Sequence, residues 1–205
     1  MTKKLITIFA TGMLLLCGLE TANAIPTLVG SATWISEGVQ HDYMLYSYSS
    51  GDNKDWLQTG IWVGLNAPKN AYLATITSAS ENDFINSAFF SSTSTPAFSS
   101  EVWLGGFQAP SAIANPAEGW NWVTGESWNY TAWGSGEAND YYGLGSEQYL
   151  GANWNGKWND EGALGNIGGF LVESTSTAPV PEPATMLLFG TGLAGLAAVG
   201  RRKRD

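Results

Sequence analysis

Seven tryptophans lie within about sixty residues in the second half of the chain, separated mainly by glycine, asparagine and serine. They are Trp103, Trp120, Trp122, Trp128, Trp133, Trp154 and Trp158. Glycine and asparagine are poor helix formers, so a continuous helix does not fit this stretch. The pattern instead predicts short strands joined by long, ordered loops.

The charge of the chain excludes several classes of function. Between residues 25 and 180 there are three Lys and no Arg against fifteen acids, and the whole chain has a net charge of −9. Nucleic acid is therefore not an expected partner, because phosphate binding needs a basic face. The single Cys (Cys17) and the single His (His41) exclude a disulfide scaffold, a Cys/His zinc site and most catalytic triads.

The first half of the chain has patterns of regular secondary structure. Aromatic and apolar residues predict strands at 43–48 and 71–76. Helical spacing predicts a helix that opens at Asp52-Asn53 and runs through Trp62. A second helix is predicted to be capped by Ser78 or Ser80, with Glu81 in its first turn, and a Ser/Thr-rich loop is predicted at 91–100.

The N-terminus has the layout of a secretory signal peptide. Lys3 and Lys4 precede an almost entirely apolar stretch, 5–18, and Ala22-Asn23-Ala24 follows as a small-x-small cleavage site. We therefore predict a signal peptide at 1–24. A membrane anchor is the alternative, but the apolar run is short for a span.

The C-terminus has three parts in a fixed order. A polar stretch, 174–179, predicts a linker. Pro181-Glu182-Pro183, an uncharged stretch at 184–200 and a basic cluster at 201–204 follow it. The segment 180–205 resembles the PEP-CTERM sorting signal of Gram-negative bacteria, with 184–200 as its transmembrane helix. The resemblance implies export, transient anchoring in the inner membrane, and removal of the tail by an exosortase.

The glycines of this tail spell a nucleotide-binding fingerprint by accident. Gly190, Gly192 and Gly195 give G-x-G-x-x-G. That motif binds a dinucleotide only inside a βαβ unit, and here the chain ends ten residues later. We interpret these glycines as part of the apolar helix.

Five passages of the central segment occur in the order found in one family. They are 73–85 (Leu-Ala-Thr-Ile-Thr-Ser-x-x-Glu-Asn-x-Phe-Ile), Trp103-Leu104-Gly105-Gly106, 118–125 (Glu-Gly-Trp-Asn-Trp-Val-Thr-Gly), 154–160 (Trp-Asn-Gly-Lys-Trp-Asn-Asp) and 170–173 (Phe-Leu-Val-Glu). Together they resemble C-type lectin-like domains over about residues 38–173. The resemblance implies an α+β domain at 25–173, with two helices, antiparallel strands and a long ordered loop region. It places Trp103, Trp120, Trp122 and Trp158 in the core. Val172 stands where the family has a cysteine, so apolar packing is expected to replace the disulfide.

The resemblance also implies a calcium site. Its ligands correspond here to Glu137, Asn139, Glu147, Asn159 and Asp160, and calcium prefers such oxygen donors. In the family, two open positions on the ion take neighbouring sugar hydroxyls. Glu137 and Glu147 would then accept hydrogen bonds from the sugar, and Asn139 and Asn159 would donate to it. Glu before Asn implies a mannose- or glucose-like diol.

The sequence departs from the family at this site and has aromatic residues close to it. Ala138 replaces the proline whose cis peptide aims both flanking side chains at the metal in the family. Trp154, and in second place Trp133, is a candidate for stacking on a sugar ring. An auxiliary calcium would draw on Glu118, Asp140 and Glu147, but Gln108 stands where an acid is usual, so that site is expected to be incomplete.

Three classes of function are compatible with these residues. The first is an exported, calcium-dependent carbohydrate-binding protein that attaches to polysaccharide at the cell surface or in an extracellular polysaccharide matrix. The second is a structural or protein-binding domain of the same fold without sugar binding. The third is a glycosidase using two of Glu137, Glu147, Asp160 and Glu161. Because these acids are better explained as metal ligands, no catalytic residue and no enzyme activity are predicted.

Overall fold

The structure is a computed structural model that describes residues 25–49, 55–91, 101–109, 115–152, 156–163 and 167–177. Its elements in chain order are β1 (Thr27–Ser36), β2 (Val39–Ser47), α1 (Trp56–Asn66), β3 (Tyr72–Leu73), α2 (Ala79–Ile85), β4 (Glu101–Gln108), β5 (Trp120–Trp122), β6 (Tyr149–Ala152), β7 (Trp158–Glu161) and β8 (Ile167–Thr177). A π-helical turn, Asn86–Phe90, continues α2. The fold is α+β, as predicted.

Five predictions lie wholly or almost wholly outside the described residues. They are the signal peptide at 1–24, the sorting signal at 180–205, its transmembrane helix at 184–200, Trp154, and the loop at 91–100, of which only Ser91 is described. Among the residues that the structure does describe, no helix is long and apolar enough to cross a membrane.

One sheet contains all of the described strands. Its main path runs β1-β2-β8-β4-β6-β7, with β3 paired to β8 and β5 paired to β4. The predicted antiparallel pairing holds except between β4 and β8, which are parallel. Because β1 and β8 both pair with β2, the first and last strands lie on either side of β2. The segment 25–177 therefore supplies its own strand partners at both ends.

Two predicted boundaries are corrected by the sheet. The strand predicted at 43–48 is part of β2, which begins earlier, at Val39. Residues 174–177, predicted as linker, form the end of β8 and pair with β2, so that Thr177 lies opposite Val39. Ser and Thr suit a linker by composition, but β-branched Thr also fits a strand once a partner strand is available.

The helices begin at polar caps. Asp55 accepts the N–H of Gln58 at 2.7 Å, so α1 starts at Trp56 rather than at Asp52 as predicted. For α2, the hydroxyl of Ser78 accepts the N–H of Glu81 at 3.2 Å, which selects Ser78 over Ser80. The strand predicted at 71–76 is reduced to β3.

Apolar side chains cover both faces of the sheet. Leu104 and Trp158 belong to one core cluster, and Trp103, Phe170 and Val172 to the other. This alternation follows from the two-residue period of a strand. Trp103, Trp158 and Val172 have no exposed surface, which agrees with their predicted core positions.

The glycine pair of β4 is required by close packing. A Cβ added at Gly105 would lie 2.3 Å from the carbonyl oxygen of Leu73. No side chain fits that gap, because the contact is with backbone rather than with a flexible side chain. The first glycine of the Trp-Leu-Gly-Gly passage is therefore required because β4 packs closely against β3 at this point.

Candidate functional site

The site forms where a loop runs along the free edge of β7. The Trp158 N–H donates to the Ala132 carbonyl at 2.9 Å, and the Gly134 N–H donates to the Trp158 carbonyl at 2.8 Å. These bonds hold the chain at 132–134 beside β7. The loop that follows, 137–147, therefore arrives next to Asp160.

Asp160 connects this loop to the strand. Its side chain has no exposed surface, and its carboxylate accepts the Asn139 N–H at 2.9 and 3.0 Å and the Asp140 N–H at 2.7 Å. A carboxylate that accepts backbone N–H groups fixes the position of those groups. The predicted ligands Asn139 and Asp160 are therefore brought together.

Glu137 and Glu147 lie on the same loop. The Asn139 side-chain amide donates to Glu137 Oε2 at 2.5 Å, and the peptide bond between Glu137 and Ala138 is cis. Glu147 is 4% exposed, and its Oε2 accepts the Tyr141 N–H at 2.6 Å. Four of the five predicted calcium ligands thus share one loop and the adjoining strand.

Asn159 faces a different set of side chains. Its amide donates to Glu161 Oε1 at 3.1 Å and lies 3.4 Å from both carboxylate oxygens of Glu101. Adjacent residues of a strand point to opposite faces, so Asn159 and Asp160 diverge. The structure does not pair Asn159 with Glu137.

Sequence reasoning did not predict the part played by Glu101. It stands at the start of β4, and its carboxyl group is hydrogen-bonded to that of Glu161. A Cβ at Gly151 would lie 2.7 Å from Glu101 Oε2, so the missing side chain makes room for this carboxyl. The sequence signals were the acid two residues before Trp103 and the acid directly after Asp160.

Crowded carboxylates raise one another's proton affinity. Burial, and then the charge of Asp160, raise the pKa of Glu137 to about 7. Burial and the neighbouring Glu101 raise the pKa of Glu161 to about 7. Burial also raises the pKa of Glu147 and of Glu101. Desolvation and like charges both disfavour the ionised form, so these groups need a proton or a cation.

The donor set fits calcium better than a softer metal. Carboxylate and amide oxygens are the ligands that calcium prefers, whereas zinc sites use Cys and His. Glu137, Asn139, Glu147 and Asp160 would hold the ion, with Asn159 on the neighbouring face of β7. The ion pair within the described residues joins His41 to Glu173, so it neutralises none of these acids.

The loop also carries exposed apolar side chains. Tyr141 is 77% exposed and Tyr142 82%, with their rings 5.1 Å apart, and Leu144 is 67% exposed. Sequence reasoning passed over them, although two aromatics in a glycine-rich loop were visible. Trp133, by contrast, is half-buried and packs against Trp120 and Trp158 at the margin of the core.

A second polar cluster uses none of the candidate ligands. His41 Nδ1 lies 2.7 Å from Glu173 Oε1, and the Tyr43 hydroxyl donates to Glu81 Oε1 at 2.5 Å. One ligand atom from each of His41, Glu81 and Glu173 lies within 4.8 Å of the others. His41 lies on the β1-β2 hairpin, and its side chain is half-buried in this contact. The cluster links β2, α2 and β8.

Comparisons with known proteins support the two parts of the chain separately. Residues 179–204 match the family model of the PEP-CTERM protein-sorting motif, which confirms the predicted sorting signal. No curated protein matches the chain.

Several solved structures resemble the central domain. The cow C-type carbohydrate-recognition domain of CD23, in the presence of a GlcNAc2Man3 oligosaccharide, is 19% identical, with a TM-score of 0.50 over 72% of this chain and 100% of that one. Human lithostathine is 17% identical, with a TM-score of 0.53 over 70% and 97%. The C-type lectin CEL-I from Cucumaria echinata is 15% identical, with a TM-score of 0.52 over 71% and 95%. At these identities the likeness shows the fold, and the predicted C-type lectin-like fold is confirmed.

Proposed function

We propose that this protein is exported and binds carbohydrate through one calcium ion at the loop 137–147. The observation that carries the proposal is the convergence of Glu137, Glu147 and Asp160 beside one strand edge, with no cationic side chain paired to them among the described residues. Burial, together with the charge of Asp160, raises the pKa of Glu137 and of Glu147, and a bound cation would offset the repulsive part of that effect.

The exposed side chains beside these acids suit a sugar. A pyranose presents hydroxyls to a metal and C–H groups to an aromatic ring. Tyr141 and Tyr142 project from the loop that carries Glu147, and their rings are open to solvent. We propose that the two tyrosines contact the sugar ring. Trp154, also predicted to make such a contact, lies outside the described residues.

The test is glycan binding with calcium and with chelator, using the segment 25–177. Binding to mannose- or glucose-like glycans in calcium is expected, with loss in chelator and loss in Asp160→Asn. Asp42→Asn is the matched control, since it removes the same charge from β2. At a hundredfold excess over Kd, calcium should stabilise the fold by about 2.7 kcal/mol. Identical melting temperatures in calcium and chelator would contradict the calcium site.

A second candidate is a structural or protein-binding domain that uses the fold without sugar. The observation that favours it is the saturation of Asp160, whose carboxylate already accepts the N–H groups of Asn139 and Asp140. The turning of Asn159 toward Glu101 and Glu161 points the same way. Glycan binding that is absent in both calcium and chelator would select this candidate.

Export and processing complete the proposal. The sorting motif supports membrane-anchored transit and cleavage by an exosortase, after which the domain would reside at the cell surface or in an extracellular polysaccharide matrix. Intact mass of the secreted protein should fit a chain that starts near Ile25 and ends near Val180. Secreted protein that retains Arg201 to Asp205 would contradict processing at this motif.

A further inference from the structure

Asp140 sits inside the candidate site, and its carboxylate is occupied by backbone groups of its own loop. It is 3% exposed. Its Oδ2 accepts the Gly145 N–H at 2.9 Å, and its Oδ1 accepts the Glu147 N–H at 3.0 Å. Its carbonyl oxygen accepts the Gly143 N–H at 2.7 Å. One residue therefore fixes three points of the turn that carries Glu147.

The two ends of this turn are tied to each other and to β7. The Asp140 N–H donates to Asp160 Oδ2 at 2.7 Å, and the Tyr141 N–H donates to Glu147 Oε2 at 2.6 Å. Carboxylates that accept backbone N–H groups form short, strong hydrogen bonds. Hydrogen bonds within the chain therefore link Asp160 to Asp140 and Asp140 to Glu147.

Gln108, which stands where an acid of the auxiliary cation site is usual, lies beside this loop, since its backbone N–H donates to the Gln148 carbonyl at 2.9 Å. It is 3% exposed, and its side-chain Nε2 donates to the carbonyl oxygens of Glu118 at 2.8 Å and Asn115 at 3.0 Å, with Pro116 at 3.4 Å. Carbonyl oxygens that converge on one point commonly bind a cation. Here a neutral amide supplies the positive end of the interaction.

We infer that Asp140 is a positioning residue that holds Glu147 and its loop in the binding geometry without an auxiliary cation. Gln108 stands in place of the auxiliary acid, so the loop 137–147 and its surroundings offer one cation site rather than two. The claim that Asp140 orders the loop is independent of the proposed function. The claim that the loop binds one cation rests on the proposed function. A preorganised loop spends no binding free energy on ordering, so the cation binds without a folding step.

Amide hydrogen exchange of the segment 25–177 in chelator tests the loop. The Gly145 and Glu147 amides should be protected without any metal. In Asp140→Asn one carboxylate oxygen becomes an N–H₂ group, and exchange at one of these amides should accelerate about 10- to 100-fold. Asp42→Asn removes the same charge elsewhere and should leave both amides protected. Gly145 and Glu147 amides of the wild type that exchange freely in chelator, and are protected only in calcium, would overturn the inference. Comparing the wild type in chelator and in calcium detects this outcome without any variant.

Terbium binding, followed by its luminescence, separates positioning from general stability. The wild type should bind one terbium ion, Asp140→Asn should bind it about tenfold or more weakly with its cooperative unfolding retained, and Gln108→Asp should gain a second ion. A second ion that binds the wild type and remains in Glu81→Gln, which alters the separate His41–Glu81–Glu173 cluster, would overturn the inference, as would unchanged affinity in Asp140→Asn. Protected amides together with no terbium binding would support the role of Asp140 and contradict the proposed function.

Discussion

The backbone N–H of Asn139 donates to both carboxylate oxygens of Asp160, at 2.9 and 3.0 Å, although 21 positions separate the two residues. Asp160 is fully buried, so these bonds are shielded from water. They attach the candidate ligand loop to β7, and they would do so with or without a cation. The architecture of the site therefore depends on one buried acid.

We expect Asp160→Asn to destabilise the chain even in chelator. The amide keeps one acceptor oxygen and places an N–H₂ group against a backbone N–H, so a buried donor loses its partner. The free energy of unfolding should fall by about 1–3 kcal/mol, measured by urea denaturation. Asp42→Asn, whose partners Thr33 and Gln40 lie at the surface, should change it by less than about 0.5 kcal/mol. Equal losses in the two variants would contradict this role.

The stability of the metal-free chain should fall as the pH rises from about 5 to 8. The pKa of Glu137 and of Glu161 is about 7 in the folded chain, against 4.5 ordinarily. Between these values the folded state holds more protons than the unfolded state, so raising the pH favours unfolding. Calcium should offset the loss at pH 8, since it replaces the protons.

Melting temperatures in chelator across this pH range check that prediction. Glu137→Gln and Glu161→Gln should each flatten the decline, and Asp42→Asn should leave it unchanged. A melting temperature that is constant or rises with pH in chelator would show that the acid cluster does not titrate in this way.

Two glycines should respond oppositely to alanine. At Gly105 a Cβ would lie 2.3 Å from a backbone carbonyl, whereas at Gly60, in α1, nothing lies within 4 Å of the added atom. Gly60→Ala should raise the free energy of unfolding by about 0.5–1 kcal/mol through helix propensity. Gly105→Ala should lower it by about 1–3 kcal/mol or more through overpacking. Denaturation of both variants under one condition is the comparison, and a neutral Gly105→Ala would count against the close crossing of β4.

His41 should stabilise the fold through Glu173. Burial raises the pKa of Glu173 and His41 lowers it, and Glu173 Oε2 also accepts the Thr75 N–H at 3.1 Å. His41→Ala should cost about 1–3 kcal/mol, since it removes the hydrogen-bond partner of the buried Glu173 Oε1. In a Glu173→Gln background the same substitution should cost clearly less, and a double-mutant cycle gives the difference. Additive effects would mean that the two side chains are not coupled.

Sequence patterns determined much of this protein directly. The sorting motif is contiguous, and its order of tripeptide, apolar span and basic tail is readable without a fold. The spaced Trp and Gly motifs predicted the C-type lectin-like fold, because each motif reports a local packing requirement, as at Gly105. The cap of α2 was likewise local, and the sequence limited it to Ser78 or Ser80, of which the structure uses Ser78.

The tertiary structure decided what depends on distant partners. Residues 174–177 form strand rather than linker because β2 lies beside them. Asn159 lies beside Glu101, 58 positions away in sequence, because the pairing of the strands brings them together. Asp140 takes its role from a loop geometry that its neighbours in sequence do not specify. Local propensity depends on residues that are adjacent in sequence. Burial, charge crowding and hydrogen-bond partners depend on strands that meet only after folding.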